Sequence, residues 1–209
     1  MNIAVATMFS PAYKPIVDIT LPVLKKYCER HDYELNIINV PDWDYSYRKH
    51  EWLKGKLKTD VDVIFYIDCD ALITNEDIKI ESFLDGEHDF FVSEDINEIN
   101  GGVFLLKNTR HGRWFNNLVL MCKGLFINEQ NVYVDYKDIL TKVGIMKLLS
   151  HPSFNSFPYH YYPEYKNITH EQGNWETGDF VCHVPGKSLQ ERETILKAIK
   201  EHANTEYHN

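Results

Sequence analysis

The chain has 209 residues, 44% hydrophobic and 25% charged, with 22 Lys and Arg against 31 Asp and Glu for a formal net charge of −9. Such a length is expected to form one domain over 1–209, and the acidic balance disfavours nucleic acid, whose binding rests on phosphate neutralisation. No apolar run approaches the ~18 residues of a membrane span, and the N-terminus lacks a signal-peptide pattern, so a soluble, cytoplasmic chain is expected.

In chain order, residues 2–8 (NIAVATM) predict a short buried strand. From Pro15, apolar residues at Ile16, Ile19, Val23, Leu24 and Tyr27 recur at helical spacing to about Arg30, and Pro22 predicts a kink or break. Residues 34–40 read as a second strand, 42–50 as a polar, tyrosine-rich loop, and 51–57 as a short helix. A third strand, residues 63–67 (VIFYI), is too continuously apolar to have one wet face and suits the centre of a parallel sheet covered on both sides. Alternation of strand and helix argues for an α/β fold built by right-handed crossovers.

Farther on, residues 77–84 predict a short helix, and 89–93 and 102–106 two more strands. Trp114, Phe115, Leu118, Val119, Met121 and Cys122 mark another helix, and 130–142 a further one. Residues 150–178 are irregular and aromatic-rich, and the rings from Phe154 to Trp175 are expected to form either a ligand platform or a satellite core under a long loop. A last strand is expected at 179–184. Ser188 and Glu191 have capping-box spacing and open a final helix through Ile195, Leu196 and Ile199. Residues 203–209 are expected to fray. The four cysteines show no metal-ligand spacing, and apolar neighbours at Cys122 and Cys182 suggest buried thiols in a reducing compartment.

The third strand ends in Asp68-Cys69-Asp70. Side chains two apart on an extended chain point the same way, so both carboxylates can converge beyond the strand's carboxyl end, where open α/β sheets bind ligands. Two hard oxygen donors suit Mn²⁺ or Mg²⁺, which could hold a diphosphate; a solvated Asp turn is the plainer alternative. Three further groups stand out: Trp52-Leu53-Lys54, the paired glycines of Asn100-Gly101-Gly102-Val103-Phe104, and His183-Val184-Pro185-Gly186-Lys187. Paired glycines permit close approach to the backbone, imidazole is a fitting third metal ligand, and Lys187 could meet a phosphate as a point charge.

This ordered set resembles the GT-A glycosyltransferases, and most closely glycosyltransferase family 34. The matching segments are Tyr27 to His31, Trp52-x-Lys54, Tyr66 to Ala71, Asn100 to Leu105, Glu129-Gln130, Phe154 to Phe157 and His183-x-x-Gly186. The resemblance implies a Rossmann-like domain with a mostly parallel sheet flanked by helices. It also implies a nucleotide-diphosphate sugar donor (a UDP-hexose or UDP-pentose), a glycan or glycoprotein acceptor, and Mn²⁺ or Mg²⁺. Asp68, Asp70 and His183 look like the metal ligands. Lys187 and Gly186 look like diphosphate contacts, Thr7, Lys54 and Cys69 like nucleotide contacts, and Glu94-Asp95 with Asn100-Gly101 like readers of the donor sugar. Glu129-Gln130 matches an Asp-Gln pair of retaining relatives with Glu in place of Asp, and with Asp95 supplies the catalytic candidates. Retention is implied, with an inverting enzyme of the same fold as the alternative. The chain shows no membrane anchor or stem, which fits a compact microbial or viral version working in a (host) cytoplasm.

Two rivals come from other classes. A haloacid-dehalogenase-like phosphohydrolase also has a strand ending in Asp-x-Asp, with the first aspartate as nucleophile, but position 72 is Leu where that pattern wants Thr or Val, and the motif follows two strands instead of lying on the first. A sugar-binding module without catalysis is the other.

Overall fold

The computed structural model describes residues 1–41, 45–96 and 98–206. The chain runs β1 (Ile3–Phe9), α1 (Lys14–His31), β2 (Glu34–Asn39), α2 (Tyr45–Lys56), β3 (Val63–Ile67), β4 (Ala71–Ile73), β5 (Phe90–Asp95) and β6 (Glu98–Lys107). It continues as α3 (Arg110–Met121), α4 (Glu129–Lys142), β7 (Met146–Leu149), α5 (His151–Phe154), β8 (Val181–His183) and α6 (Leu189–Glu206). Six strands form the central sheet in the order β2-β1-β3-β6-β5-β7. Only β6 opposes the others, pairing antiparallel with both β3 and β5, while the pairs β1–β2, β1–β3 and β5–β7 are parallel. A separate antiparallel pair, β4 with β8, sets Ala71 opposite His183.

All five residues of β3 are buried, as a central strand covered on both faces requires. The period-two alternation sorts them cleanly: Ile64 and Tyr66 join Phe104, Phe90, Phe115, Tyr133 and Leu53 in the layer under α2, α3 and α4. Val63, Phe65 and Ile67 face Leu24, Tyr27, Phe154 and Phe180 on the α1 side. A third cluster joins α1 to α6 through Ile16, Ile19, Ile195, Leu196 and Ile199, with Leu72, Cys182 and Trp175 between them. The expected α/β layering is therefore present.

Several boundaries differ from expectation. Helix α1 runs unbroken past Pro22, which is exposed, so the carbonyl deprived of its amide partner can turn to solvent. The loop expected at 42–50 is helical from Tyr45, since Tyr47, Lys49 and His50 are buried and find partners there; 42–44 lie outside the described residues. The helix expected at 77–84 shrinks to a single tight turn at Ile80–Phe83, and β4 and β7 were not foreseen. The aromatic segment is core, with Phe154, Phe157, Tyr159, Tyr162 and Trp175 all buried, so the platform reading fails for these rings. Helix α6 continues to Glu206 with Ala203 buried, instead of fraying at 203; 207–209 lie outside the described residues. Its capping box is formed, Ser188 N donating to Glu191 Oε2 at 2.9 Å and Glu191 N to Ser188 Oγ at 3.3 Å. All four cysteines are free and buried.

The far sheet edge carries a charge anchor. Asp85 pairs with Lys147 of β7 at 2.8 Å and accepts from the amides of Glu87 and His88 at 3.0 and 2.8 Å. Burial opposes its ionisation, but Lys147 and these amides hold its carboxyl well below the usual carboxylate range. A depressed folded pKa contributes stability that is fully present above the unfolded value and is lost as pH falls. Asp85→Asn should therefore cost about 1 kcal/mol at neutral pH. Denaturant titrations should show the gap to wild type closing below about pH 4; a pH-independent gap would refute the assignment.

Candidate functional site

Asp68 and Asp70 lie just past the carboxyl end of β3, and the β4–β8 pairing delivers His183 beside them. One ligand atom from each of the three lies within 4.8 Å of the others. His183 Nε2 is 3.4 Å from Asp70 Oδ1. The ring is 2% exposed, and neither of its nitrogens makes a hydrogen bond. Buried polar atoms are nearly always paired, so an orphaned Nε2 beside two carboxylates fits a metal ligand set. The expectation that Asp68, Asp70 and His183 converge is met in geometry.

Gly101 and Gly102 make room for this cluster. Between β5 and β6 the register jumps from Val92↔Phe104 to Ser93↔Asn100, so Gly101, Gly102 and Val103 bulge out of the β5 ladder. Every backbone polar group of the two glycines is satisfied elsewhere. Gly101 N donates to Gln130 Oε1 (3.0 Å), and Lys49 Nζ donates to Gly101 O (2.7 Å). Gly102 N donates to Asn100 Oδ1 (3.0 Å), and Asp68 N to Gly102 O (2.7 Å). A Cβ on Gly102 would overlap His183 Cε1 and come within 2.8 Å of Asp68 Oδ2 and 3.1 Å of His183 Nε2. One on Gly101 would meet Tyr133 Cε2 at 2.9 Å and Glu129 Oε1 at 3.2 Å.

Three partners were not foreseen from sequence. Tyr66 donates its hydroxyl to Asp68 Oδ1 at 2.9 Å. Lys49, fully enclosed, pairs with buried Glu129 at 2.6 Å and lies 4.9 Å from the Tyr66 ring centroid. Arg192 of α6 places Nε 3.2 Å from Asp70 Oδ2 and donates through Nη1 to the Tyr13 hydroxyl at 3.0 Å. Burial opposes the charge on Asp70, yet His183 and Arg192 hold its carboxyl below the usual range. For Asp68 burial prevails over the pull of Lys49, and Asp70 adds like-charge repulsion, so its carboxyl is pushed up. Lys49 is pushed up because Glu129 and Asp68 outweigh its burial.

The remaining candidates divide. Thr7, at the end of β1, lines a small cavity with Asp68 and Cys69, and a neighbouring cleft of about 90 Å³ is lined by Met8, Phe9, Tyr13, Asp68 and Cys69. Asp95 accepts from the Asn100 amide at 2.9 Å, while Glu94 pairs with Lys137. Lys187 lies 4.1 Å from the Tyr162 ring centroid and pairs with Glu164 at 3.0 Å; Gly186 before it has a positive φ of 71°. Lys54 is exposed and lines a different pocket, with Lys58 and Arg113. Larger hollows of about 320 and 360 Å³ lie elsewhere and contain none of the candidates.

A family model described as a protein of unknown function, DUF273, matches residues 24–119. No curated protein matches the chain. Among solved structures, the chain is similar to a glycosyltransferase involved in glycosylation of the major capsid of PBCV-1, with a TM-score of 0.74, 16% identity, and coverage of 95% of this chain and 100% of that one. It is also similar to the galactosyltransferase LgtC in complex with donor and acceptor sugar analogs (TM-score 0.58, 11% identity, coverage 97% and 95%). A third match is the glycosyltransferase GlyE of Streptococcus pneumoniae TIGR4 (TM-score 0.59, 12% identity, coverage 99% and 64%). The fold is the GT-A glycosyltransferase fold, as the motif order implied, and not that of a haloacid dehalogenase.

Gly102→Ala should leave a folded protein whose carboxylate–imidazole cluster is pushed apart. Isothermal titration with Mn²⁺ is expected to show at least a tenfold loss of affinity, within the range for disturbing the shell around a metal site. Wild-type affinity in the variant would mean that the cluster does not bind metal through Asp68 and His183.

Proposed function

We propose that the chain is a metal-dependent glycosyltransferase that moves a hexose or pentose from a UDP-type nucleotide sugar to a hydroxyl of a glycan or glycoprotein acceptor. The observation that carries this reading is the cluster of half-buried Asp68 with buried Asp70 and His183 at the sheet edge of a GT-A fold, with both imidazole nitrogens unpartnered. Two carboxylates and one imidazole suit Mn²⁺ better than Mg²⁺, which prefers oxygen ligands. When bound, such an ion supplies a Lewis acid for the charge that develops on the leaving diphosphate.

The charge balance supports a coupling between metal and donor. Among the described residues, Asp68, Asp70 and Glu129 are answered by two enclosed cations, Lys49 and Arg192. The bare site is thus net negative and repels a diphosphate; a divalent ion reverses the sign. Tyr66 orients Asp68, and Arg192 orients Asp70. Cys69 lines the cleft beside Asp68, and Thr7 a small cavity next to it, on the side assigned here to the nucleotide. Lys187, positioned after Gly186, is the cation assigned to the diphosphate, exchanging Glu164 for it. Lys54 keeps no part in this reading of the site.

Retention is the stereochemical course favoured by the state of the nearby carboxylates. An inverting enzyme needs one free to take the acceptor's proton. Here Glu129 is committed to Lys49, Glu94 to Lys137 and Asp95 to the Asn100 amide. In this reading Glu129, Asp95 and the Gln130 amide act by electrostatics on the positive charge that develops on the sugar.

In calorimetry, UDP should bind measurably only with Mn²⁺ present, and Asp68→Asn or Asp70→Asn should abolish that dependence while leaving the melting transition in place. Unchanged affinity in both variants would sink the proposal. With a panel of nucleotide sugars and Mn²⁺, nucleoside diphosphate should be released; orthophosphate from phosphomonoesters would instead favour a hydrolase. NMR of the first product formed should show the donor's anomeric configuration preserved, and an inverted linkage would overturn the roles given to Glu129 and Gln130.

A further inference from the structure

The outer face of α2 and α3 has a character opposite to that of the whole chain. Between Glu98 and Glu129 the sequence holds no acidic residue, in a chain that carries 31. On α3, Arg110, Trp114, Asn117 and Met121 recur at helical spacing, and all four are exposed. Apolar exposure is high along this stripe and just past the helix end: Trp114 50%, Met121 78%, Leu125 78% and Ile127 94%. Beside it, Lys54, Lys58 and Arg113 line one pocket of about 110 Å³ together with Leu57, Asn116 and Asn117. Lys54 and Lys58 hold no ion pair among the described residues. Glu51 reaches this face as the partner of Lys123, at 2.8 Å.

We propose that this face docks on the surface of an anionic lipid membrane. Single exposed apolar residues need no explanation, but several together on a basic face whose Glu51 is paired with Lys123 do. Trp and aliphatic tips on such a face can enter the headgroup boundary while Lys and Arg meet anionic lipid, which is the physics of an interfacial element. Charge complementarity selects this occupant over a second copy of the chain. A two-fold contact through this face would set Lys54, Lys58 and Arg113 against their own images. Lys54, Lys58 and Arg113, which share this pocket, are the cations assigned to the lipid phosphates. No helix of the described residues is long and apolar enough to cross a membrane, so the attachment is peripheral. The proposal stands apart from the glycosyltransferase reading: none of these residues belongs to the carboxylate cluster.

Cosedimentation of the whole chain with vesicles of phosphatidylcholine alone, and of phosphatidylcholine with phosphatidylserine, tests it. Binding is expected only to the anionic vesicles, to weaken as salt is raised, and to shift Trp fluorescence to the blue. Lys54→Glu with Lys58→Glu should weaken it at least about tenfold, given roughly fivefold per basic residue near an anionic surface. A second, independent set, Trp114→Ser with Leu125→Ser, should also abolish the fluorescence shift; both sets change exposed side chains and should melt like wild type. Absence of binding to either vesicle, equal binding to both, or wild-type binding by both sets would overturn the proposal. So would a concentration-dependent dimer in light scattering that the serine set dissolves, which would assign the face to a second copy.

Discussion

The arrangement depends on how closely the β6 backbone approaches Asp68 and His183. Only a residue without Cβ fits at position 102, since the space a methyl would need is filled by the His183 ring and an Asp68 oxygen. Removing three residues from the β5 ladder would leave buried amides and carbonyls unpaired, which a sheet interior does not tolerate. The chain resolves this by recruiting Lys49, Asn100, Gln130 and the Asp68 amide as replacement partners. The bulge, the enclosed lysine and the N-terminal turn of α4 are thus consequences of one packing constraint. The same bonds fix Asp68 relative to Glu129 and Gln130, so the carboxylate–imidazole cluster and the start of α4 share a single backbone reference.

Electrostatics follows from that packing. Bringing three carboxylates into a buried site is costly unless they are paired and hydrogen-bonded. Lys49 answers Glu129, Arg192 answers Asp70, and Tyr66 donates to Asp68. Arg192 also donates to the carbonyl of Val184 at 3.2 Å and to Tyr13, so it ties α6, the segment after β8 and the loop after β1 to one carboxylate.

Most of the sheet, most helices and the Asp68–Asp70 pair were legible in the sequence because they rest on local signals: a continuous apolar run, helical periodicity, and two carboxylates at a strand end; His183 was assigned to the cluster only through the family resemblance. Lys49 and Arg192 were not legible, and both were missed in the same way. Lys49 is spaced four and eight residues before buried Leu53 and Leu57, and Arg192 three, four and seven residues before buried Ile195, Leu196 and Ile199. Each is a charge on the apolar face of its helix, which a hydrophobicity pattern scores as an interruption, although that placement is what aims it inward. For Lys49 the error was compounded by starting α2 too late. Lys54, one turn farther on, drew attention by its motif but lies on the outer face. Strands β4 and β7 are three and four residues long and gain their strand character from pairing partners distant in sequence, which no local reading supplies.

His183 reaches the cluster only through distant pairings. β8 is clamped on both sides: His183 N donates to Ser156 O at 2.8 Å, and Val184 N to Asp70 O at 3.1 Å. Upstream of the strand, Asp179 accepts from Ser156 Oγ at 2.6 Å and from the Glu176 amide at 3.1 Å, and lies 2.9 Å from His170 Nε2. Its own carbonyl accepts from Thr74 Oγ1, 105 residues away in sequence. Trp175 Nε1 closes the group by donating to the same Thr74 oxygen at 3.1 Å. This network and the aromatic core beneath it offset the cost of ordering a long irregular segment. They also offset a second cost: each unpaired polar atom buried on the His183 ring forgoes about 1–3 kcal/mol. Such a local violation is expected at a functional site and is tolerated only when the surroundings over-determine the structure. Strength in the Asp179 network and dissatisfaction at His183 are therefore two aspects of one design, in which the segment carrying β8 is held firmly enough to keep a buried imidazole without partners.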